Sequence, residues 1–377
     1  MKTSISNLPL QRPTWAEVNL DALHSNTQKI LNLVAPARIL AVVKADGYGH
    51  GALAIARELA KTGVAYFGTA TVEEAIEIRD AGITTPLVVL GAMTPEQLSV
   101  LNDYTFYPSV HTTDFYQALA AYVRNHKPVD VHLKVDTGMG RLGMSEEDAA
   151  RILQHPVDGV RIQGLFTHFA CADIPNDETM HSQIARFNAF LESYGSNVPD
   201  IHAANSAAIL NYPQSHYNLV RPGLLLYGYT PMDGVNTDLE PILSIKSKII
   251  SLRKIASGQS IGYGRTFVAK RDTRIATVPI GYSDGLRRRL SNKLQVEVKG
   301  KMCPIVGNIS MDLCMIDVTD HPDVQLYNIV TFLNAKNSAW DWARLLDSIP
   351  WEILCLIGAR VPRVYFKNGE IADVYYP

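Results

Sequence analysis

The sequence predicts an α/β fold, in which an N-terminal (β/α)8 barrel of the TIM type precedes a C-terminal, mostly β domain. Eight apolar runs of strand length alternate with helical segments in the first part of the chain, which is typical of a parallel barrel. A connection rich in Pro, Gly, Asn and Asp follows at residues 229–240, and short alternating strands come after it. We therefore expect a barrel domain at residues 1–240 and a second domain at 241–377.

The composition is that of an ordinary folded protein and indicates no polyanionic partner. Of the 377 residues, 47% are hydrophobic and 19% are charged, so the chain can bury a core. The formal net charge of -2 favours neither nucleic acid nor an anionic membrane as a partner. Residues 1–15 lack the apolar segment of a signal peptide. No apolar run reaches the roughly 18 residues that a membrane-spanning helix needs.

The four cysteines are scattered along the chain, at Cys171, Cys303, Cys314 and Cys355. They form no Cys-x-x-Cys pair and no spacing typical of metal ligands. We therefore expect reduced thiols, no metal site and a cytoplasmic location.

The predicted elements follow from apolar runs and from helix-capping residues. Asp21 is the expected N-cap of the first helix. Thr71 with Glu74, and Thr94 with Gln97, have the spacing of a capping box. The predicted barrel strands are residues 39–45, 66–71, 87–91, 105–110, 129–135, 162–168, 201–205 and 219–226. The predicted elements of the second domain are strands at residues 245–252, 274–280, 294–298, 312–318 and 329–333, a helix at 338–346 and two final strands.

One stretch of the barrel, residues 39–50, indicates where chemistry takes place. Five apolar residues form a buried strand, Lys44 follows at its carboxyl end, and Gly47 and Gly49 bend the chain around Tyr48. A lysine at the end of a buried strand loses hydration, which favours its neutral amine. A neutral amine in a cleft can react with the aldehyde group of a cofactor. A lysine that only extends from the barrel into solvent is the alternative at this point.

Further candidate residues follow strands seven and eight, where (β/α)8 barrels commonly bind phosphate groups. After strand seven, Asn205 and Ser206 open a helix whose hydroxyl and backbone amides could hold a phosphate. Strand eight contains Arg221, and Gly223 then allows a close approach of the backbone. Taken singly, the serine is equally consistent with a helix cap, and the arginine with a surface charge.

Seven motifs, in order along the chain, resemble those of the alanine racemase family. Its members are fold-type III pyridoxal-phosphate enzymes, and the resemblance extends from Pro13 to Phe366. The matching motifs are AVVKADGYGH at residues 41–50, LKVDTGMGRLG at 133–143, HAANS at 202–206, RPG at 221–223, GYG at 262–264, PIGYSDG at 279–285 and SMD at 310–312.

The resemblance implies an isomerase that interconverts L-alanine and D-alanine with two bases and supplies D-alanine for peptidoglycan. Lys44 would hold pyridoxal 5'-phosphate covalently and act as the base for D-alanine. Tyr263, from the second domain of a partner subunit, would be the base for L-alanine. The family pattern therefore implies a homodimer whose active sites are shared across the interface.

The resemblance also assigns residues around the cofactor. Tyr48 and Ser206 would bind its phosphate, and Arg221 would face the pyridine nitrogen. The complete implied set of cofactor residues is Lys44, Tyr48, Arg141, His168, Asn205, Ser206, Arg221, Gly223 and Leu224.

Four residues carry further roles by the same resemblance. Arg141 would contact the phenolic oxygen of the cofactor and, together with the backbone of Met311, the substrate. Lys134 matches a lysine that some members carry as a carbamate that bridges to this arginine. His168 matches a histidine that supports the ring of the cofactor.

Two positions depart from the family pattern. Ala359 stands where a tyrosine beside the substrate is common, and Asn308 stands where an arginine commonly lines the mouth of the site. Neither change removes a base or a cofactor contact. Both concern substrate size, so a racemase with relaxed specificity that includes serine is an alternative.

Two other functions are weighed against racemisation. A fold-type III amino-acid decarboxylase would need an acidic partner at the ring nitrogen, where this chain has Arg221, and a late cysteine motif that is absent from the sequence. A non-catalytic cofactor carrier would consist of the barrel alone, whereas this chain adds a domain that contains Tyr263.

The implied place of Arg221 beside the ring nitrogen also bears on the type of reaction. A guanidinium stays protonated there, which makes the cofactor a weaker electron sink and disfavours transamination.

Overall fold

The computed structural model describes residues 12–376 of the chain, which form two compact units. The first unit comprises residues 24–47 and 52–239. The second comprises the described residues up to 23, residues 48–51 and the chain from 240 onward. The expected barrel domain of residues 1–240 therefore differs from the structure near the N-terminus, where strand β1 (Thr14–Asn19) lies in the second unit.

The first unit is built on a closed barrel of parallel strands that follow one another in chain order. The last of these strands pairs with the first, Arg38 with Leu219 and Ile39 with Val220. The predicted (β/α)8 fold class is thus confirmed in the described part of the chain. The barrel strands are β2 (Arg38–Val42), β3 (Tyr66–Thr69), β4 (Leu87–Val89), β5 (Tyr107–Val110), β6 (Val129–Lys134), β7 (Val160–Phe166), β8 (Asp200–Asn205) and β9 (Leu219–Arg221).

Several barrel strands end earlier than predicted, at the carboxyl ends where the candidate residues lie. Strand β2 ends at Val42 because the chain enters a helix at Lys44. Strand β9 ends at Arg221, and a 3₁₀ helix (Leu224–Tyr227) replaces the rest of the predicted strand. The strand ends therefore lead directly into the turns that carry candidate side chains.

The helices around the barrel begin at polar caps. Thr71 and Glu74 form the predicted capping box, and Gln97 accepts a hydrogen bond from the backbone of Thr94 at 3.0 Å at the start of a 3₁₀ helix (Pro95–Asn102). The predicted cap at Asp21 is wrong, because the Asn19 side chain accepts the first backbone amides instead. The α-helices are α1 (Leu20–Val34), α2 (Lys44–Gly49), α3 (Ala52–Leu59), α4 (Val72–Asp80), α5 (Thr113–Val123), α6 (Glu146–Gln154), α7 (Glu178–Tyr194) and α8 (Ser206–Asn211).

The second unit is mostly β, as predicted. Its remaining strands are β10 (Leu243–Lys248), β11 (Ser251–Ile255), β12 (Ser260–Ile261), β13 (Phe267–Val268), β14 (Thr273–Val278), β15 (Gln295–Val298), β16 (Lys301–Pro304), β17 (Cys314–Asp317), β18 (Ile329–Leu333), β19 (Arg363–Lys367) and β20 (Glu370–Tyr375). Helices α9 (Ala339–Leu346) and α10 (Pro350–Cys355) lie between β18 and β19. Ser338 caps α9 at the position where the predicted helix begins.

Strand β1 lies inside the largest sheet of the second unit, which has the order β16-β15-β18-β10-β1-β19-β20. It pairs antiparallel with β10 and parallel with β19. Trp15 and Val18 are fully buried there. Its partners lie far away in the sequence, so a local pattern does not identify the sheet to which it belongs.

One predicted strand of the second domain, at residues 245–252, is two strands in the structure. Strand β10 joins the large sheet, whereas β11 joins a separate sheet of order β11-β14-β17. The change of sheet occurs between Lys248 and Ser251. Within residues 12–376, no helix is both long enough and apolar enough to cross a membrane.

Candidate active site

A left-handed helical turn follows strand β2 and begins at Lys44. After this lysine, φ lies between +52° and +59° at residues 45–48 and is +78° at Gly49. L-amino acids avoid this conformation, at a cost of about 1–2 kcal/mol for each non-glycine residue. Glycine at positions 47 and 49 lowers that cost, whereas Ala45, Asp46 and Tyr48 retain it. The sequence motif therefore encodes a strained turn directly beside the candidate lysine.

Lys44 itself is exposed in the single chain. This differs from the expected loss of hydration, because the last buried residue is Val43, directly after strand β2, and both Lys44 and Ala45 lie at the surface. Tyr48, four residues further along the same turn, is buried.

Arg221, at the end of β9, is a buried guanidinium with 5% exposure. Its Nη2 donates to the carbonyl oxygens of Thr167 and Ala203 at 2.9 and 2.8 Å. Its Nη1 donates to Nδ1 of His202 at 2.8 Å, and Nη2 also donates to Nδ1 of His168 at 3.1 Å. None of these bonds to the described residues uses Nε. Burial lowers the pKa of Arg221 to about 9, so the side chain remains a cation at neutral pH.

Because a guanidinium can only donate, Arg221 sets the protonation of its histidine neighbours. Nδ1 of His202 accepts from it, so the ring proton lies on Nε2, which donates to Nδ1 of His132 at 2.8 Å. Burial, followed by the charge of Arg221, holds the pKa of His202 and of His168 well below 6.5. Burial lowers the pKa of His132 to about 4. All three rings are therefore neutral at neutral pH.

The turn from β8 to α8 brings a hydroxyl beside the end of β9. Ser206 Oγ accepts from the backbone amides of Gly223 and Leu225 at 2.9 and 3.4 Å, which leaves its own proton for another acceptor. The Asn205 side chain accepts two amides of the first turn of α8, at 3.0 Å each. The helix-opening amides that the sequence analysis assigned to a phosphate are thus bound by Asn205. Leu224 is fully buried at the start of the following 3₁₀ helix.

Lys134 ends β6 with 4% exposure, and its Nζ lies 5.6 Å from the centre of the Phe166 ring. Burial, followed by the charges of Arg221 and Arg141, lowers the pKa of Lys134 to about 8. The exposed Arg141 makes no hydrogen bond to the described residues. Its loop is shaped by Asp136, whose carboxylate accepts from the three consecutive backbone amides at 138–140.

Four cations lie around one end of the barrel. The positive charges of Arg221, Lys134, Arg141 and Lys44 each lower the pKa of His168, so all four lie near its ring. A concentration of positive charge of this kind suits an anionic ligand. Among residues 12–376, no three His, Cys, Asp or Glu side chains are grouped in a way that could hold a metal ion.

The other candidate residues belong to the second unit. Tyr263 begins a 3₁₀ turn (Tyr263–Arg265) and is 75% exposed in the single chain. Asn308 donates to its backbone carbonyl from Nδ2 at 2.7 Å. Met311 is 51% exposed. Both large side chains, of Tyr263 and Met311, are therefore accessible to another molecule.

Both parts of the chain match models of known protein families. The model for "Alanine racemase, N-terminal domain" matches residues 18–231, and the model for "Alanine racemase, C-terminal domain" matches residues 242–365. The chain belongs to the alanine racemase family.

Curated members of the alanine racemase family are similar over almost the full chain. The alanine racemase of Clostridium novyi is 40% identical over 380 residues, which cover 96% of this chain and 98% of that protein. The alanine racemase of Clostridium perfringens strain SM101 is 39% identical, with the same coverage of both chains.

Solved structures of alanine racemases have the same fold. That of Clostridium difficile 630 is 35% identical with a TM-score of 0.91, and covers 96% of this chain and 98% of that one. That of Bacillus anthracis, with bound L-Ala-P, is 32% identical with a TM-score of 0.90, and covers 98% and 99% respectively.

Several residues of this alanine racemase family member were missed by the sequence analysis. His202 and Asp136 lie inside two of the matched motifs, but only their contacts reveal that they hold Arg221 and the loop of Arg141. His132 and Phe166 lie on barrel strands, where each is indistinguishable from a packing residue in the sequence. Of the two departures from the family pattern, Ala359 is exposed, and Asn308 contacts the backbone of Tyr263.

Proposed function

We propose that this chain interconverts L-alanine and D-alanine by a two-base reaction that uses pyridoxal 5'-phosphate. The observation that carries the proposal is the buried, protonated Arg221, whose Nη1 and Nη2 are held by the protein. Its Nε–H is left for a ligand, and a donor at this place suits the unprotonated nitrogen of a pyridine ring. Membership of the alanine racemase family supports the substrate.

The polar groups of the barrel fit this cofactor. The Ser206 hydroxyl proton would bind phosphate together with Tyr48, and the loop of Gly223 and Leu224 would lie against it. Arg221 Nε would face the ring nitrogen, and His168 would support the ring. Asn205 holds the first turn of α8 and thereby places the Ser206 hydroxyl.

The cationic end of the barrel would complete the site. Lys44 would hold the cofactor covalently through Nζ. Arg141, without a hydrogen bond to the described residues, would contact the phenolic oxygen of the cofactor and the carboxylate of alanine. The backbone of Met311 would contact the substrate from the second unit of another subunit.

The proposed reaction moves one proton from Cα and returns one to its opposite face. The cofactor, when bound, withdraws electrons from Cα and so makes the α-proton acidic. Lys44 Nζ takes or gives the proton on the face used for D-alanine, and Tyr263 Oη does so on the face used for L-alanine. Inversion requires two groups on opposite faces, since one group on one face would return the proton with retention.

Arg221 limits the reaction to racemisation. Its pKa of about 9 keeps the guanidinium protonated at neutral pH, so it does not accept the pyridine proton. By leaving the pyridine nitrogen unprotonated, Arg221 would weaken the electron withdrawal that the cofactor supplies, and this would disfavour transamination. An acidic residue at this place would favour the opposite outcome.

Lys134 is the proposed site of a carbamate. Its pKa of about 8 leaves a neutral fraction of the amine at neutral pH, and Nζ can then bond to the carbon of CO2 with release of one proton. The resulting anion would lie beside the guanidinium of Arg141 and hold it in place.

The proposed assembly is a homodimer with shared active sites, supported by the exposure of Tyr263 and Met311 in the single chain. The proposed role is to supply D-alanine for peptidoglycan in the cytoplasm. Among the described residues, Cys171, Cys303 and Cys314 take part in no disulfide bond, which supports a reducing compartment. Because Ala359 and Asn308 replace larger residues of the family pattern, L-serine is a proposed secondary substrate.

The experiment that tests the function follows both enantiomers directly. The purified protein is incubated with pyridoxal phosphate and L-alanine, and the products are separated by chiral chromatography. We expect conversion to an equal mixture of L- and D-alanine, and loss of conversion in Lys44→Ala. Release of CO2 would indicate a decarboxylase instead, and unchanged L-alanine would indicate a carrier.

A further inference from the structure

One carboxylate joins the chain directly after Lys44 to the neighbouring barrel strand. Glu74 Oε1 accepts from the backbone amide of Ala45 at 2.6 Å. Its Oε2 accepts from the amide of Ala70 at 2.7 Å and from that of Thr71 at 3.4 Å. A single side chain therefore ties the turn after β2 to the turn after β3, at the first turn of α4.

The segment held in this way is the left-handed turn. Its conformation is unfavourable for Ala45, Asp46 and Tyr48, so contacts outside the turn must maintain it. The Asp46 carboxylate accepts from the amide of Ala52 at 2.8 Å, beyond the far end of the turn. Glu74 holds the near end, beside Lys44.

The amide that Glu74 accepts is part of the peptide bond between Lys44 and Ala45. A peptide bond is planar, so fixing its N–H direction also fixes the carbonyl of Lys44 and the rotation about its Cα–C bond. The direction of the Lys44 side chain then follows from the backbone. A hydrogen bond to a carboxylate is stronger than one to a neutral acceptor, which suits a contact at an exposed position.

We propose that Glu74 is a positioning residue for Lys44, and the proposal rests on the proposed role of Lys44 as the cofactor-binding lysine. Glu74 does not touch the substrate. It acts by holding the strained turn in the one conformation that directs Nζ into the site. Without this carboxylate, the turn relaxes and Lys44 reaches the cofactor less often.

A purely structural role as a helix cap makes a different prediction. Thr71 Oγ1 accepts from the amide of Glu74 at 3.3 Å, which is the other half of the capping box. Thr71→Ala removes this half of the cap and leaves the acceptor of Ala45 in place. Glu73→Gln is the matched charge control, because Glu73 is exposed on the same helical turn. The test variant is Glu74→Gln, whose single amide oxygen cannot serve both sets of amides.

The first measurement uses the cofactor-free protein and follows amide hydrogen exchange in residues 45–49. We expect exchange to be about tenfold faster in Glu74→Gln, because a charge-assisted hydrogen bond is lost. Thr71→Ala and Glu73→Gln should leave exchange at these residues unchanged. The second measurement adds pyridoxal phosphate for timed intervals, traps the bound lysine with borohydride and quantifies the labelled Lys44 peptide. We expect about tenfold slower labelling in Glu74→Gln alone.

Equal exchange and equal labelling in Glu74→Gln and the wild type would overturn the proposal. Equal effects in Glu74→Gln and Thr71→Ala would also overturn it, since both would then report loss of the cap. If Glu74→Gln does not fold, Glu74→Asp, shorter by one methylene, provides the same comparison. Absence of label on Lys44 in the wild type would count against the proposed function, whereas the exchange measurement tests the Glu74 contact independently of it.

Discussion

The protonation state and role of several side chains in this protein depend on the groups that surround them. Arg221 only donates, and it therefore determines which ring nitrogens of His202 and His132 carry the proton. Burial, with a smaller contribution from the charge of Arg221, lowers the pKa of both rings and keeps them neutral. The two proposed bases differ in chemistry, an amine at Lys44 and a phenol at Tyr263, and each would serve one face of the same carbon. Three predictions concern residues at this scale.

The two proposed bases should be specific for one face each. Tyr263→Phe removes the group that serves L-alanine and leaves Lys44 in place for D-alanine. Removal of a positioned acid–base group costs on the order of 10²–10⁴-fold. We expect exchange of the α-proton with deuterated solvent to fall by this factor for L-alanine, and much less for D-alanine. Equal losses for both enantiomers would mean that Tyr263 supports the site generally and that another residue is the second base.

The amine of Lys134 should react with CO2. Its pKa of about 8 means that the neutral amine becomes abundant as the pH rises towards 8, so carbamate formation should increase over this interval. Carbon-13 NMR of protein equilibrated with labelled bicarbonate should show a carbamate signal. The signal should be absent from Lys134→Arg, which retains the positive charge. Its persistence in that variant would place the carbamate elsewhere.

His132 should make stability depend on pH. Its folded pKa of about 4 lies below the ordinary value near 6.5, so the unfolded chain binds the extra proton between these values. The free energy of unfolding should therefore fall as the pH falls from about 6.5 to 4. In His132→Phe, denaturant titrations should show a slope shallower by up to about 1.4 kcal/mol per pH unit. An unchanged slope would contradict a neutral, buried His132.

Among the secondary-structure elements, helix α2 is unusual because its residues 45–49 have the positive φ of a left-handed helix. Its glycines lower the steric cost at two positions, and the Asp46 carboxylate accepts from the amide of Ala52 just beyond the helix. Gly49 has a second reason to be glycine, because a Cβ at this position would overlap the carbonyl oxygen of Leu354.

A comparison of Gly49 with Gly63 gives a prediction at the scale of the element. Gly49 and Gly63 both have positive φ, +78° and +89°, but nothing lies within 4 Å of a Cβ added to Gly63. Gly63→Ala should therefore cost only the conformational penalty, about 1–2 kcal/mol. Gly49→Ala should cost clearly more, because backbone must also move. Denaturant unfolding of the two variants measures both values, and equal losses would show that the overlap is relieved without cost.

At the scale of the whole molecule, the two proposed catalytic residues belong to different units. Lys44 belongs to the barrel unit, and Tyr263 is an exposed residue of the mostly β unit. A dimer in which each β unit serves the barrel of the other subunit would account for the exposure of Tyr263.

Subunit mixing tests this arrangement. Lys44→Ala and Tyr263→Phe homodimers should each be inactive or nearly so. After subunit exchange, each mixed dimer would contain one site with both changes and one site with neither, so activity should return to a minority of sites. Fluorescence energy transfer between labelled subunits verifies that exchange has occurred. No recovery after verified exchange would argue against shared sites.

The sequence by itself determined the fold class, most barrel strands and the position of Lys44, because hydrophobic periodicity, capping residues and glycine turns act over a few residues. Only the tertiary structure decided that β1 belongs to the sheet of the second unit, that Asn205 binds the amides expected for a phosphate, and that Lys44 is exposed. It also decided the neutral state of His202 and the contact of Glu74 with Ala45. These features depend on contacts between segments that are distant in the chain. Local propensity carries no information about such partners, whereas burial and hydrogen bonding between them set both the pairing of strands and the pKa of side chains.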